Sequence, residues 1–326
     1  MKEEIIKVEN ESIEFFLKSL IDYAGLFPPA RLPLDEAINN YISYKESADS
    51  WMLGTFIIPA GSLEELELAL TKLPSEVPLF LSVTGMKHDQ FHDCEIGFDA
   101  ELKKIACFRD RYGQKVQIEA FELPMPLAVP KLEELELLSD MAKTENLKLF
   151  TEVTIPDSHD WEAKLLETLD VFAAHNAAAD HPLGVKLRTG GLEAKMFPSP
   201  EKVAVFIKGC AERKMPLKFT AGLHHPIRMY REEVQTKMHG FLNVFTAGIL
   251  AYAHNLEKAT LVEILEDEQP VHFKFNNQEL SWKNVKVNAA EISRYRRLLF
   301  SYGSCSFDEP CEELRELNFL KEAYRC

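Results

Sequence analysis

The chain has 326 residues, of which 46% are hydrophobic and 27% charged, and its formal net charge is −15 at pH 7. This balance is typical of a globular protein with enough apolar material for a large core. The strong negative charge disfavours binding to nucleic acid, because contacts with phosphates need clustered lysines and arginines.

The N-terminal residues, MKEEIIKVENESIEFF, are charged and lack the apolar segment of a secretory signal. No apolar run approaches the roughly 20 residues that span a bilayer. The six cysteines have no CxxC spacing. We therefore expect a cytoplasmic protein with reduced thiols and no membrane partner.

Short apolar strands alternate with amphipathic helices along most of the chain. An amphipathic helix over residues 5–19 comes first. Strands are then predicted at residues 20–30, 51–60, 77–85, 115–124, 147–156, 184–190 and 216–222. The helices that follow them are predicted at residues 33–47, 62–73, 99–113, 132–146, 157–180, 199–215 and 227–238.

The eighth unit has two interpretations. Residues 240–248, GFLNVFTAG, fit an eighth strand, and residues 240–254 fit a continuous helix equally well. A helical segment over residues 249–267 follows in either case.

Continuous apolar strands are typical of strands that are covered on both faces. Eight strand–helix units in a row favour an α/β fold of the (β/α)8 TIM barrel type over an open, doubly wound sheet. Neither GxGxxG nor GxxxxGK[ST] follows the first strand, which weighs against the open sheet. We predict a barrel over residues 1–269. Residues 270–326 are predicted to be a C-terminal appendage packed on it, with a hairpin over 271–287, a helix over 291–303 and a last helix.

Chemical groups of such a barrel lie at the C-terminal ends of its strands. Alternation along each strand predicts which side chains face the axis, and the following loops add further groups. The predicted polar set is Asp22, Glu119, Glu152, Lys186, Arg188, Lys218, Thr220, His224, His225, His239 and Asn243. Burying so many charges is unfavourable unless they pair, and such clusters are common at functional sites.

Lys186 and Lys218 fall on neighbouring strands, about 5 Å apart. A buried lysine beside other cations loses its proton more easily, and a neutral lysine can form a Schiff base with a carbonyl compound. The two segments VKLRTGG and LKFTAGLHH resemble class I aldolases of the deoxyribose-phosphate type, which implies a Schiff-base role for Lys186 with Lys218 beside it. The resemblance covers only these two strands, and Arg188 departs from it. The alternative is structural ion pairing, of Lys186 with Glu152 and of Lys218 with a neighbouring acid.

The histidine pair has a catalytic and a structural interpretation. Adjacent side chains point apart, so we expect one of His224 and His225 to face the mouth, where imidazole titrates near neutrality. A divalent metal ion is the candidate cofactor, held by His224 with Glu119 and Glu152. No HxH or HExxH supports it. In the structural interpretation His225 caps its loop and His224 binds a backbone carbonyl.

The turn RTGG suits an anion. The backbone N–H groups of Thr189, Gly190 and Gly191 can cradle a carboxylate or phosphate, and Arg188 can clamp it. The alternative is a simple loop in which glycine supplies a positive φ. Cys305 is predicted to be a structural loop cysteine, because the sequence places no histidine near it.

Five segments, DYAGLFPPA, KLRTGG, TAGLHHP, HGFLNV and GSCSFDEP, together resemble a family of uncharacterised bacterial (β/α)8-barrel proteins. The resemblance implies that the chain is one unit, and it implies no particular activity.

Three functions follow as hypotheses. The first is an aldolase-like lyase acting on a small anionic carbonyl compound. Lys186 is its nucleophile or enolate stabiliser, Arg188 holds the anion, and His224 with Glu152 or Glu119 moves protons. The second is a metal-dependent lyase, isomerase or hydrolase using His224, Glu119 and Glu152. The third is a non-catalytic ligand-binding barrel, which predicts mutually paired mouth groups and an ordinary, high pKa for Lys186. The sequence leaves room for a homo-oligomer.

Overall fold

The computed structural model describes residues 10–71 and 78–321. Its strands are β1 (Ile21–Tyr23), β2 (Leu53–Pro59), β3 (Leu79–Thr84), β4 (Val116–Pro124), β5 (Lys148–Val153), β6 (Gly184–Arg188), β7 (Leu217–Thr220), β8 (Met229–Arg231), β9 (Thr236–Met238), β10 (Phe273–Phe275), β11 (Glu279–Trp282), β12 (Val285–Asn288) and β13 (Leu299–Ser304). Its helices are α1 (Glu11–Leu17), α2 (Leu34–Glu46), α3 (Leu63–Leu70), α4 (Phe91–Tyr112), α5 (Leu132–Thr144), α6 (Trp161–Ala178), α7 (Pro200–Glu212), α8 (Phe241–His254), α9 (Lys258–Glu266), α10 (Ala289–Tyr295) and α11 (Asp308–Glu316).

Eight parallel strands close the barrel in the order β1-β13-β7-β6-β5-β4-β3-β2. Seven of them are the strands predicted from their short apolar runs, and helices cover their outer faces, as a parallel sheet requires. The predicted (β/α)8 barrel is therefore confirmed.

The eighth barrel strand is β13, and it comes from the tail of the chain. The helix predicted over residues 291–303 was wrong, since α10 ends at Tyr295 and β13 follows. The proposed boundary at residue 269 is corrected as well, because the tail completes the barrel and is not an appendage on it. A short apolar run does not distinguish a strand from a helix. Here the run forms a strand because it fills the gap between β1 and β7 and pairs with both.

Residues 240–248 form no strand, because residues 241–248 lie in α8 and Gly240 is its N-cap. Every residue from Phe241 to Ala251 is buried, and the helix packs against α7, α9 and α10. A helix that is apolar all round is one that is covered all round. The tail hairpin predicted at 271–287 is present as β10 and β11, and β12 adds a third antiparallel strand.

Two further helix predictions needed correction. Residues 227–238 form the antiparallel pair β8 and β9 in place of a helix. Helix α4 begins at Phe91, within the loop predicted before residue 99. Residues 5–9 and 72–73 of the predicted helices lie outside the described residues.

Two remaining predictions concern the oxidation state of the cysteines and the presence of membrane-spanning helices. Free cysteines in the described part of the chain are Cys94, Cys107, Cys210, Cys305 and Cys311. Cys326 lies outside the described residues. Within residues 10–71 and 78–321, no helix combines the length and apolar character needed to cross a bilayer.

Candidate functional site

A chain of alternating carboxylates and ammonium groups crosses the barrel interior. Lys218 Nζ lies 2.6 Å from Asp22 Oδ2 and 2.5 Å from Glu122 Oε1. Lys186 Nζ lies 2.8 Å from Glu122 Oε2 and 2.8 Å from Glu152 Oε2. Glu122 thus joins the two lysines, and the five side chains form one continuous set of ion pairs.

The parallel register of the strands assembles this chain. Lys186 on β6 lies directly opposite Glu152 on β5 and Lys218 on β7. Serine hydroxyl groups add hydrogen bonds to two of the carboxylates. Ser82 Oγ donates to Glu122 Oε1 at 2.6 Å, and Ser301 Oγ donates to Asp22 Oδ2 at 2.6 Å. Buried charges persist in a low-dielectric interior when they are paired and hydrogen-bonded in this way.

The ion pairs determine the protonation states of the buried carboxylates and lysines. Burial alone would raise the pKa of Glu122, but the two neighbouring ammonium groups hold it well below its ordinary value. Burial alone would lower the pKa of Lys186, but Glu122 and Glu152 raise it above its ordinary value. Lys218 behaves likewise, since Asp22 and Glu122 raise its pKa. Both lysines are therefore ammonium groups at neutral pH.

The sequence predicted Glu119 as the carboxylate of β4 that faces the barrel axis. In the structure that carboxylate is Glu122. The register between β3 and β4 passes from Leu81 opposite Ile118 to Ser82 opposite Ala120, so that Glu119 is an extra residue. Such a bulge shifts the side-chain alternation by one position and turns Glu122 toward the axis. Glu119 is exposed instead. The segment EAFELP contains Glu122 as a second acid, but the sequence gives no sign of the bulge that turns it inward.

The mouth end of the charge chain is formed by Glu152 and Arg188. Arg188 Nη1 lies 3.9 Å from Glu152 Oε1, and its side chain is 48% exposed against 12% for Glu152. Glu152 is therefore the carboxylate that connects the buried Lys186 with a guanidinium reaching solvent.

The loops after β6 and β7 are locked together beside this mouth. Thr189 Oγ1 donates to the carbonyl of Ala221 at 2.6 Å, and Thr189 N donates to the carbonyl of Thr220 at 2.9 Å. A Cβ on Gly190 would lie 2.8 Å from the Cα of Gly222. Gly190 therefore permits a close backbone approach, and the positive φ angles belong to Ala221, at +60°, and Gly222, at +73°. A Cβ on the neighbouring Gly191 would lie 2.5 Å from Cε of Met196.

His239 and Asn243 hold backbone groups in place. His239 Nε2 donates to the carbonyl of Pro198 at 2.7 Å. The amide nitrogen of Asn243 donates to the carbonyls of Ile264 and Asp267 at 2.7 and 2.8 Å, and its oxygen accepts from Arg228 N. These contacts engage Nε2 of His239 and the whole amide of Asn243 within the framework.

Both adjacent histidines face α11 and its preceding loop, although one was expected to turn away. His224 Nδ1 lies 3.7 Å from Cys305 Sγ and 3.8 Å from Glu309 Oε2. His225 Nδ1 lies 2.7 Å from Glu313 Oε1. The expectation that Cys305 has no histidine beside it was wrong, because β13 returns the tail to the loop after β7.

The metal set predicted from His224, Glu119 and Glu152 is not assembled. Glu152 binds Lys186, and Glu119 lines a cavity at the N-terminal end of the strands, of about 600 Å³. The basic residues lining this cavity are Lys18, Lys45, Lys148, Lys218 and Arg296. Asp22 and Lys218 also line this cavity, at its inner end. In (β/α)8 barrels the reacting groups lie at the opposite end, which is where Arg188, Glu152 and the histidines are.

No protein-family model and no curated protein matches the chain. Among solved structures, the deoxyribose phosphate aldolase from Aeropyrum pernix is 16% identical with a TM-score of 0.45, over 65% of this chain and 80% of that one. The carboxyl transferase domain of Rhizobium etli pyruvate carboxylase, with pyruvate and biocytin, is 13% identical with a TM-score of 0.43, over 88% of this chain and 48% of that one. At these values neither likeness bears on the activity of this chain. Its barrel rests on its own strand pairing.

Proposed function

We propose that the protein is an aldolase-like barrel enzyme that removes a proton beside the carbonyl group of a small anionic compound. The observation that carries the proposal is the position of Glu152, between the buried ammonium of Lys186 and the half-exposed guanidinium of Arg188. A carboxylate between two cations at the C-terminal end of barrel strands is placed to meet an anionic substrate that enters from solvent.

Each group at the mouth has a role that suits its chemistry. The planar guanidinium of Arg188 suits bidentate binding of the substrate's carboxylate or phosphate. Glu152 accepts the proton from carbon as a general base. The electron pair of the broken C–H bond then moves onto the carbonyl oxygen, and the ammonium of Lys186 stabilises the resulting enolate.

Protonation of Glu152 changes what Lys186 binds. A neutral Glu152 attracts the ammonium less than a carboxylate does, so an Nζ–H group of Lys186 becomes available to the enolate oxygen as the charge develops there. Glu122 continues to hold Lys186 from the buried side. Return of the proton to carbon restores the original ion pair.

This proposal uses Lys186 as a cation and not as a nucleophile. A Schiff base needs a neutral amine. Glu122 and Glu152 raise the pKa of Lys186. Of the two roles considered for this lysine, the paired carboxylates favour electrostatic stabilisation.

Deuterium exchange into carbonyl compounds tests the proposal. In D₂O, NMR is used to follow the α-protons of a panel of small 2-oxo acids and ketose phosphates. We expect exchange faster than without enzyme, and Glu152→Gln should slow it by at least about 100-fold, the lower bound for loss of a general base. Glu119→Gln is the matched control, because this exposed carboxylate lies at the other end of the barrel. Absence of exchange across the panel, or an unchanged rate in Glu152→Gln, would contradict the proposal.

A non-catalytic ligand-binding barrel is the second candidate, and the complete pairing of the buried charges favours it. Each carboxylate of the chain, Asp22, Glu122 and Glu152, already contacts a lysine. Such a protein would bind an anion at Arg188 with saturable heat of binding and would catalyse no exchange. Calorimetry with the same compounds, beside the exchange assay, separates the two candidates.

A further inference from the structure

A second group of polar side chains lies where the loop after β7 meets α11. His225 Nδ1 and carboxylate oxygens of Glu309 and Glu313 lie within 4.8 Å of one another. Glu309 and Glu313 are four residues apart, so both carboxylates project from one face of α11 toward the histidine. Three donors held at this spacing could bind one ion in common.

Two more donors flank these three. His224 Nδ1 lies 3.8 Å from Glu309 Oε2 and 3.7 Å from Cys305 Sγ. The cluster thus combines two imidazoles, two carboxylates and one thiol. This mixture of nitrogen, oxygen and sulfur donors is preferred by zinc, whereas magnesium and calcium prefer oxygen alone.

The hydrogen bonds of the cluster leave it incomplete. The nearest basic partner of the Glu309 carboxylate is His224 Nδ1, at a distance beyond a hydrogen bond. Two carboxylates held this close repel each other unless a proton or a cation lies between them.

A buried hydroxyl on β13, three residues before Cys305, is also unsatisfied. Tyr302 is fully buried, and within the described residues its hydroxyl group has no hydrogen-bond partner. Buried polar groups normally have a partner, so this hydroxyl group marks a place where a ligand or its water is expected.

The surrounding charges leave a net attraction for a cation. Arg231 is the nearby guanidinium, and its Nε donates to Glu233 Oε1 at 2.7 Å. Its charge is therefore already paired by a carboxylate of the same hairpin. The groups that contact Glu309 and Glu313 directly are His224 and His225. A neutral imidazole is the form that binds metals.

We propose that His225, Glu309 and Glu313 bind one zinc ion, with His224 and Cys305 beside it to complete the coordination. The site is separate from the Lys186–Glu152 chain, so it stands whether or not the proposed proton transfer occurs. The competing explanation is an ion pair alone, in which a protonated His225 bridges the two carboxylates.

Calorimetric titration of the chelator-treated, full-length protein with Zn²⁺ distinguishes these explanations. We expect one zinc ion per chain, and Glu313→Gln and His225→Ala should each weaken binding by at least about tenfold, a loss seen even for residues that only support a metal ligand. Glu312→Gln is the matched control, since Glu312 is an exposed carboxylate on the same helix. Mg²⁺ in place of Zn²⁺ should bind far more weakly.

Thermal unfolding guards against a folding defect in the variants. Zinc should raise the Tm of wild-type protein and of Glu312→Gln, and should raise that of a folded Glu313→Gln much less at the same concentration, because a ligand stabilises only the state that binds it. The proposal is overturned if wild-type protein takes up no zinc, or if Glu313→Gln and Glu312→Gln bind it equally. The deuterium exchange assay addresses Glu152 separately, so failure of one proposal is distinguishable from failure of the other.

Discussion

Lys186 Nζ lies 2.8 Å from Glu152 Oε2, and this contact joins the buried part of the charge chain to the barrel mouth. Behind it Glu122 binds Lys186 and Lys218 together. In front of it Arg188 reaches solvent. The same contact therefore belongs both to the stability of the barrel and to the chemistry proposed for it.

Glu122→Gln should strongly destabilise the protein. The substitution leaves two buried ammonium groups with one carboxylate partner fewer each, and breaking a buried pair in this way costs about 3–5 kcal/mol. Urea denaturation measures the loss. Glu119→Gln is the control and should change the free energy of unfolding by less than about 0.5 kcal/mol, as is usual at exposed positions. Equal stability of the two variants would show that the ion-pair chain is not needed for folding.

Borohydride reduction in the presence of small 2-oxo acids or ketose phosphates should leave Lys186 unmodified. Two carboxylates raise the pKa of Lys186, so the neutral amine needed for an imine is scarce near pH 7. Mass spectrometry of peptides gives the readout. An adduct on Lys186 that depends on the carbonyl compound would instead establish a covalent mechanism.

His239 should titrate with a pKa of about 4. Burial lowers the pKa of His239 to that value, and the hydrogen bond to the Pro198 carbonyl only partly opposes the shift. Because the folded pKa lies below the unfolded value of about 6.5, His239 favours folding above that pH. Its contribution is lost as the pH falls toward 4. NMR of the imidazole gives the midpoint. A midpoint for His239 near 6.5 would contradict the prediction.

Gly190→Ala should destabilise the mouth, because the added Cβ would lie 2.8 Å from the backbone of Gly222. Overpacking of this kind costs typically about 1–3 kcal/mol. Gly61→Ala is the matched control, since a Cβ there has no atom within 4 Å among the described residues. Denaturant unfolding of both variants measures the difference. A Gly190→Ala protein as stable as Gly61→Ala would mean that the two loops separate without cost.

The placement of Lys186 and Lys218 follows from local sequence. Each lies in a short apolar strand, where side chains alternate between the two faces, so its inward direction follows from its immediate neighbours. The alternation of strands and amphipathic helices likewise predicts the barrel, because burial of each strand on both faces leaves few other architectures.

Glu122 and Asp22, the other partners of these lysines, depended on contacts between distant residues. Glu122 faces the axis because a bulge at Glu119 shifts β4 against β3, and a bulge depends on the pairing of two strands. The strand β13 was hidden in a run that fits a helix equally well, and it forms because β1 and β7 each need a neighbour. That closure also brings Cys305 to His224, over a separation of 81 residues. Period and composition determined most elements of this protein and placed Lys186 beside Glu152 on the preceding strand. Only the closed barrel brought Glu122 between the two lysines and Asp22 to Lys218, because these contacts join strands that are far apart in the sequence.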